Sequence, residues 1–252
     1  MEETVRVADR IFDILEALAA SSSPLGLSEI AKATGMSKST VHRLVTSMCV
    51  RQYVEKSSDG FYSIGYKLIE TVSLHINQLE LLTEAKPFLS DIMRDLDLTA
   101  HLGILDGCDV VYLEKMDIYP NTRLYTQVGY RSPAFCSSIG KCLLACLSGD
   151  ELEDALYLCN FKKYTANTIT DIREFKRYLK VIRRQGWAMD NEEYQIGHRC
   201  VGAPVFDYRG SPAAAISASG SIAQLSDDKL EMVIREVKQA AEKLSRRMGY
   251  VE

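Results

Sequence analysis

The stretch from residue 27 to residue 62 constrains the fold most. It begins with LSEIAKATGMSKSTVHRLVTSMC, in which two helix-forming segments are separated by Gly35. Glycine lacks a Cβ and therefore suits the left-handed turn that ends a helix. Residues 53–55 and 61–63 are β-prone, and an Asp-Gly pair between them indicates a hairpin. The pattern predicts a winged helix-turn-helix, a module that places its second helix in the DNA major groove.

The second helix of this module has two chemically different faces. At 100° per residue, its apolar side chains form one stripe of Val41, Leu44, Val45 and Met48. Ser39, Arg43 and Thr46 lie near the opposite pole, where short hydroxyls allow close approach and Arg can donate twice to guanine. The predicted DNA contacts are Lys38, Ser39, Thr40, His42, Arg43, Thr46 and, at the hairpin tip, Lys56. The alternative is a solvated polar face on a small helix.

The distribution of charge matters more than the overall charge of −4. Residues 1–67 carry eight basic and eight acidic side chains, so the excess of acid lies in the rest of the chain. Between residues 35 and 56 four bases (Lys38, Arg43, Arg51 and Lys56) face one acid, Glu55. The local charge therefore favours contact with DNA by this segment.

The rest of the chain predicts an α+β fold, with helices around an antiparallel sheet. Strands are expected at 101–105, 110–114, 123–128, 202–207 and 213–219, and helices at 84–96, 137–147, 171–184 and 227–248. Apolar residues repeat at helical spacing over 65–82, which predicts a helix joining two domains or the first helix of the second domain. The predicted organisation is a DNA-binding domain at 1–64, a linker helix at 65–83 and a second domain at 84–252.

Composition places the chain among soluble globular proteins, with 46% apolar and 25% charged residues. We expect no export leader and no membrane span, because no charged-then-apolar leader or long apolar run is present. The seven cysteines are an odd number scattered through the chain, which favours free thiols in a reducing cytoplasm over a disulfide framework.

The motifs together resemble bacterial transcription regulators of the IclR (isocitrate lyase regulator) type over nearly the whole chain. The resemblance rests on LSEIAKATGMSKSTVHRL and YSIGYKLIE in the first part. In the second part it rests on GYRSPAFCSSIGKCLLA, TANTIT, GWAMDNEEYQIGHRCVGAPVFD and AAAISASG. GYRSP and TAHLGILDG look most like relatives that sense sugar acids.

The resemblance implies a homodimeric or homotetrameric repressor or activator that binds a palindrome-like operator. We expect no cofactor and no metal. It also implies that the second domain binds a small effector, often a carboxylate. The aligned effector positions are Ser138, Ile139, Asp190, Cys200, Ser217 and Ser219. Some relatives carry Gly-Ala in place of Ser138 and Ile139, which would alter the size and polarity of the pocket.

Physical chemistry supports an effector site at these positions. Residues 137–140 would start a helix, where unpaired N–H groups and the helix dipole favour an anion. Ser217 and Ser219 alternate on a strand and share one face, and Asp190 can accept hydrogen bonds from ligand hydroxyls. The alternatives are an ordinary serine N-cap, small residues chosen for sheet packing, and an aspartate that caps a turn.

Two other kinds of site are weighed against this interpretation. Cys200 and His198 could form a nucleophile in a cysteine-dependent hydrolase or transferase, although this spacing is no recognised catalytic signature. Cys136, Cys142 and Cys146 are clustered, but they lack the paired short spacings typical of zinc sites. His101 lies on an apolar strand and either faces the effector or, as we favour, belongs to the core.

Overall fold

A computed structural model describes residues 5–76, 80–117 and 127–251. The chain forms two compact units, residues 1–78 and residues 79–252. The sequence placed the domain boundary between residues 83 and 84, a few residues further along the chain. The predicted linker helix is represented by one helix that ends at residue 76 and by the start of another at residue 80; residues 77–79 lie outside the described residues.

The first unit is a helix-turn-helix followed by a hairpin. Its elements are α1 (Arg6–Ala20), α2 (Leu27–Thr34), α3 (Lys38–Val50), β1 (Val54–Lys56), β2 (Tyr62–Ile64) and α4 (Tyr66–Ile76). Gly35 ends α2 with a φ of 67°, and the Ser37 hydroxyl accepts a hydrogen bond from the Thr40 N–H at 3.3 Å to cap α3. The turn predicted at Gly35 is therefore present.

One small core holds the first unit together. The predicted stripe of α3 is buried and packs with residues of α1, α2 and the hairpin; the buried members are Ile14, Leu18, Ile30, Ala31, Val41, Leu44, Val45, Met48, Val54 and Tyr62. The hairpin pairs Val54 with Ile64, and its turn closes where the Ser57 N–H donates to the Phe61 carbonyl at 2.8 Å. The polar side of α3 therefore points away from the core.

The second unit is built on a six-stranded antiparallel sheet in the order β5-β4-β3-β8-β7-β6. Its elements are α5 (Glu80–Leu96), β3 (Thr99–Asp106), β4 (Asp109–Met116), β5 (Arg131–Pro133), a 3-10 turn (Ala134–Cys136), α6 (Ser138–Cys146), α7 (Gly149–Leu158), α8 (Ile172–Gln185), β6 (Ala188–Asn191), β7 (His198–Phe206), β8 (Pro212–Ser221) and α9 (Asp227–Arg247). Helices α5 and α9 pack together on the sheet, and α6 contacts both the sheet and α8. The predicted α+β class is confirmed.

Some predicted elements differ from the structure. The strand expected at 123–128 falls mostly outside the described residues, and the strand in this region is β5, after a turn at Gly129 with a φ of 81°. Helix α7 and strand β6 were not predicted. Asp171, the expected first residue of the helix at 171–184, instead caps α8, and its carboxylate accepts hydrogen bonds from two backbone N–H groups.

The prediction of free thiols is wrong for one pair. Cys108 and Cys159 are joined as a disulfide, with their Cα atoms 5.2 Å apart. Cys108 lies in the turn between β3 and β4, and Cys159 ends α7, so the fold brings together two residues 51 positions apart. The spacing of the cysteines along the chain could not reveal this contact. The other five cysteines are free.

Candidate DNA-binding face and effector cavity

Helix α3 presents an exposed polar face. The side chains of Lys38, Ser39, His42, Arg43 and Thr46 are exposed. None of the basic ones forms an ion pair with the described residues, which leaves their charge available to a partner. The helix is positioned by its buried stripe on the opposite side. This arrangement presents both cationic and hydroxyl donors on one helix surface, as contact with phosphates and base edges requires.

Four of the predicted DNA-contacting residues have additional local contacts. The Ser39 hydroxyl lies 3.0 Å from that of Ser37, and the Thr46 hydroxyl donates to the His42 carbonyl at 2.7 Å. Thr40 is only partly exposed, and its hydroxyl lies 2.9 Å from the Ser37 hydroxyl within the helix cap. It is therefore less available than its neighbours. Lys56 is exposed at the end of β1, with its Nζ 5.6 Å from the centre of the Tyr62 ring. The ring holds the cation at the base of the hairpin turn.

The second unit contains a polar cavity of about 60 Å³. It is lined by His101, Tyr112, Ser132, Ser137, Ser138, Asp190, Tyr194, Gln195, His198, Cys200, Ser217 and Ser219. Since a single water needs roughly 10–15 Å³ on this measure, the cavity can take several water-sized groups. Five of the six predicted effector positions therefore lie around one cavity. The exception is Ile139, whose side chain is buried in the apolar core.

Helix α6 points its N-terminus at this cavity. Ser137 caps the helix, and its hydroxyl accepts a hydrogen bond from the Gly140 N–H at 3.1 Å. The N–H groups of Ser138 and Ile139 belong to the first turn of α6 and have no partner within the helix. Ser138 is 2% exposed, and its hydroxyl forms no hydrogen bond with the described residues. Several donors thus converge on one end of the cavity.

Strand β8 supplies another part of the wall. Ser217 and Ser219 are both 3% exposed and line the cavity, as their alternation on the strand predicts. The hydroxyl of Ser217 has no hydrogen-bond partner among the described residues, whereas that of Ser219 lies 3.4 Å from Nδ1 of His101. A buried hydroxyl without a partner is costly. Ser217 is therefore available for a ligand.

Two histidines on the wall are neutral near pH 7. Burial lowers the pKa of His101 to about 3, and burial also lowers the pKa of His198. His101 is 3% exposed, so it is buried as we favoured, but it also forms part of the cavity wall. A neutral imidazole can donate one hydrogen bond to a polar ligand and accept another from it.

Asp190 is the acidic member of the wall. It is 6% exposed, and its Oδ1 accepts a hydrogen bond from the Glu193 N–H at 2.7 Å. Burial raises the pKa of Asp190 to about 7; the charge of Glu193 adds to this rise, and the charge of Lys141 opposes it. Asp190 therefore changes its charge near neutral pH.

A buried ion pair lies behind Asp190. The side chain of Lys141, in α6, is 0% exposed and contacts both Glu193 and the carbonyl of Met189. Its Nζ also lies 5.3 Å from the centre of the Tyr178 ring. Lys141 thus links α6 to the loop after β6 through these contacts. The same loop contains the cavity residues Tyr194 and Gln195.

The geometry disfavours both alternative sites. The Cys200 sulfur lies 4.0 Å from Nδ1 of His198, and burial raises the pKa of Cys200 well above its usual value, so the thiol stays protonated and is a poor nucleophile. Burial raises the pKa of Cys146 to about 11 and that of Cys136 and Cys142 still further. Among the described residues, no cluster of three or more His, Cys, Asp or Glu could hold a metal ion.

Sequence reasoning missed several cavity residues. Tyr112, Ser132, Tyr194 and Gln195 line the cavity but were not proposed. The Ser132 hydroxyl donates to the Tyr112 hydroxyl at 3.3 Å, and the Tyr130 and Tyr194 hydroxyls lie 3.0 Å apart. For Tyr112 a signal existed, since it alternates with Val110 on β4 and shares its buried face. Tyr194 lies in a loop, where no periodicity applies.

Both units match models of known protein families. A family model of the IclR helix-turn-helix domain matches residues 7–58, and one of the bacterial transcriptional regulator IclR C-terminal domain matches residues 73–246. The chain belongs to the IclR family. The HTH-type transcriptional regulator KdgR of Escherichia coli (strain K12) is 34% identical over 96% of this chain and 92% of its own length.

Solved structures of the IclR family agree with the fold. Thermotoga maritima IclR is 34% identical, with a TM-score of 0.84 over 96% of this chain and 98% of its own. An IclR homolog from Microbacterium hydrocarbonoxydans, solved with 4-hydroxybenzoate, shares the fold at 22% identity, with a TM-score of 0.86 over 96% and 98% of the two chains. No described helix is long and apolar enough to cross a membrane.

The matched proteins also decide between the functional classes. KdgR is named as a transcriptional regulator, and both family models describe regulator domains, while none describes an enzyme. The chain is therefore a transcriptional regulator with a helix-turn-helix DNA-binding domain. The hydrolase or transferase interpretation of Cys200 and His198 is not supported.

Proposed function

We propose that this IclR-family regulator is controlled by a small carboxylate or sugar acid bound in the cavity of its second unit. The observation that carries the proposal is the pair of buried hydroxyls, Ser138 and Ser217, which have no partner among the described residues and face one cavity. The N-terminus of α6 favours an anion there. Asp190, His101 and Ser219 offer hydrogen bonds to ligand hydroxyls.

The ligand of one relative is compatible with this proposal. The Microbacterium homolog binds 4-hydroxybenzoate, which combines a carboxylate with a hydroxyl group. The same two groups occur together in sugar acids. The site would be completed by Ser138, Ile139 and Cys200. Ile139 would contribute its backbone N–H, because its side chain lies in the core.

On the DNA side, we propose that α3 lies in the major groove of the operator. Arg43, Ser39 and Thr46 would contact bases or fix the register, helped by Lys38, Thr40 and His42. Lys56 would contact a phosphate beside the groove. Exposed apolar side chains on α1 and α4, among them Phe12 at 58% and Tyr66 at 75%, would be covered in a homodimer or homotetramer.

Arg43→Ala is expected to weaken specific operator binding by about 5- to 150-fold, the equivalent of roughly 1–3 kcal/mol for one bidentate base contact. The measurement is a salt-titrated gel shift on the promoter next to the protein's own gene, with an unrelated duplex as competitor. Arg6→Ala is the matched control, because Arg6 is exposed on α1. Equal specific affinity of Arg43→Ala and the control would remove Arg43 from the reading face.

The effector site is tested by thermal shift with D-gluconate, D-galacturonate, lactate and 4-hydroxybenzoate. A true ligand stabilises the folded protein through mass action, by about 2.7 kcal/mol at a concentration 100 times its Kd, and this raises the melting temperature. Asp190→Ala combined with Ser217→Ala is expected to abolish the shift. Asp154→Ala with Ser211→Ala, both exposed outside the cavity, is the matched control. A shift that persists in the first pair would place the ligand elsewhere.

Effector binding can change operator binding only if the two arrangements of the protein differ in effector affinity. In a dimer, two winged units must meet half-sites about one helical turn apart or a multiple of it. We propose that the ligand favours one spacing of these units over another. The effector then acts on the geometry of the assembly, without touching DNA.

A further inference from the structure

Among the described residues, the wall of the cavity contains no lysine or arginine. Asp190 supplies the only carboxyl group among the twelve described residues that line it. The two histidines are neutral near pH 7 because burial lowers their pKa values. A carboxylate that enters meets hydroxyls and backbone N–H groups, together with a carboxyl group that can carry the same charge. Two carboxylates in one buried site cannot both stay ionised at low cost.

Lys141, the buried cation behind Asp190, is already paired. Lys141 contacts Glu193 and the Met189 carbonyl, so its charge is largely balanced by Glu193. The Glu193 N–H donates a hydrogen bond to Oδ1 of Asp190 at 2.7 Å. Lys141 therefore keeps Asp190 titratable near neutrality but does not neutralise a second negative charge in the cavity.

We infer that an anionic effector enters this cavity together with one proton, which binds to the Asp190 carboxylate. The inference rests on the proposed function, because it needs a carboxylate ligand. The proton comes from solvent, and no covalent bond of the ligand changes. The protonated carboxyl then donates its O–H to the ligand, as a neutral acid does in a buried site. Asp190 thus determines the charge state in which the pocket accepts a ligand.

The charged and titratable side chains around Asp190 leave it as the group that can take this proton. Lys141 comes from α6 and Glu193 from the loop after β6, as a bound pair. Burial raises the pKa values of the thiols and phenols facing it, so these groups stay protonated and neutral; they are Cys136, Cys200, Tyr112 and Tyr194. His198 on β7 and His101 on β3 are neutral. A ligand carboxylate would raise the pKa of Asp190 further.

The test is calorimetric titration of the full chain with 4-hydroxybenzoate, D-galacturonate and D-gluconate, at about pH 6 and about pH 8, in phosphate and in Tris. The dissociation constant is expected to rise about tenfold per pH unit above pH 7, because only the protonated form binds tightly. The difference in heat between the two buffers is expected to show an uptake approaching one proton per ligand at the higher pH.

Asp190→Asn supplies the matched variant, since its neutral amide can donate to a carboxylate and cannot titrate. Its dissociation constant is expected to be the same at both pH values, without proton uptake. Glu192→Gln, in the same loop but outside the cavity lining, is expected to keep the pH dependence. If Asp190→Asn fails to fold or bind, the carboxyl ¹³C resonance of Asp190 in the unmodified protein reports protonation on ligand addition.

The outcomes separate the two proposals. Binding that is equal at both pH values without proton uptake, or a pH dependence that survives in Asp190→Asn, would overturn this inference and leave the effector cavity in place. A carboxyl resonance that remains that of an ionised group in the complex would do the same. Failure of every acid to bind at either pH would overturn the proposed function, and this inference with it.

Discussion

Lys141→Met is expected to lower the free energy of unfolding of the second unit by about 3–5 kcal/mol, the usual cost of breaking a buried ion pair from one side. The side chain of Lys141 is 0% exposed, and its loss leaves Glu193, at 7% exposure, with an uncompensated charge. The other oxygen of that carboxylate, Oε2, has no hydrogen-bond partner among the described residues, so nothing else stabilises it. Urea unfolding followed by fluorescence of Trp187, the single tryptophan, measures the change.

Two further variants make this result specific. Lys141→Met combined with Glu193→Leu removes both charges and is expected to recover much of the loss, because apolar replacements of buried pairs are often neutral or stabilising. Lys176→Met breaks the pair with Glu153, whose side chain is 62% exposed, and is expected to cost about 0–1 kcal/mol. If Lys141→Met cost no more than Lys176→Met, the pair would have to be solvated and could not fix the loop beside the cavity.

The first unit was the more predictable of the two, and the reason is physical. Its elements are short, local and marked by residues that act on their own neighbours: Gly35 ends α2, Ser37 caps α3, and the stripe headed by Val41 repeats at helical spacing. Each of these signals lies within a few residues of the structure it specifies. Periodicity therefore sufficed to separate the buried face of α3 from its exposed face.

The cavity was only partly predictable, because its walls come from segments far apart in the chain. Ser217 and Ser219 could be placed on one face by strand alternation alone. The resemblance to the IclR family supplied Ser138, Asp190 and Cys200, which composition and spacing do not connect. It also suggested Ile139, but the position of this side chain in the core depends on how tightly α6 packs on the sheet.

Other features depend entirely on tertiary contacts. Nothing in the sequence distinguishes the buried Lys141 from an exposed lysine, because its partner Glu193 is 52 residues away. The disulfide between Cys108 and Cys159 requires α7, a helix that the sequence pattern did not predict. Tyr194 reaches the cavity from a loop whose path is determined by hydrogen bonds from Thr165 and Thr168 to the backbone carbonyls of residues 192 and 193.

Gly140→Ala is expected to destabilise the second unit by about 1–3 kcal/mol, the typical cost of overpacking a core. A Cβ at this position would lie 2.3 Å from both the Cα and the carbonyl oxygen of Ala134. Because these are backbone atoms, α6 or the 3-10 turn must shift. Such a shift outweighs the gain of about 1 kcal/mol that alanine offers over glycine in a helix. Urea unfolding measures the loss.

The same substitution tests whether close backbone packing positions the effector site. Ser137 lies between Ala134 and Gly140 and caps α6, so displacement of the helix start moves the N–H groups and hydroxyls away from Ser217. Gly140→Ala should therefore weaken binding of the acid that gives the largest thermal shift, even under conditions where the variant is fully folded. Gly149→Ala is the control, because its added Cβ would meet no atom within 4 Å, and a change within about 0.5 kcal/mol is expected. Equal ligand affinity in the two variants would show that the start of α6 can move without consequence, which would contradict an anion site built from its N–H groups.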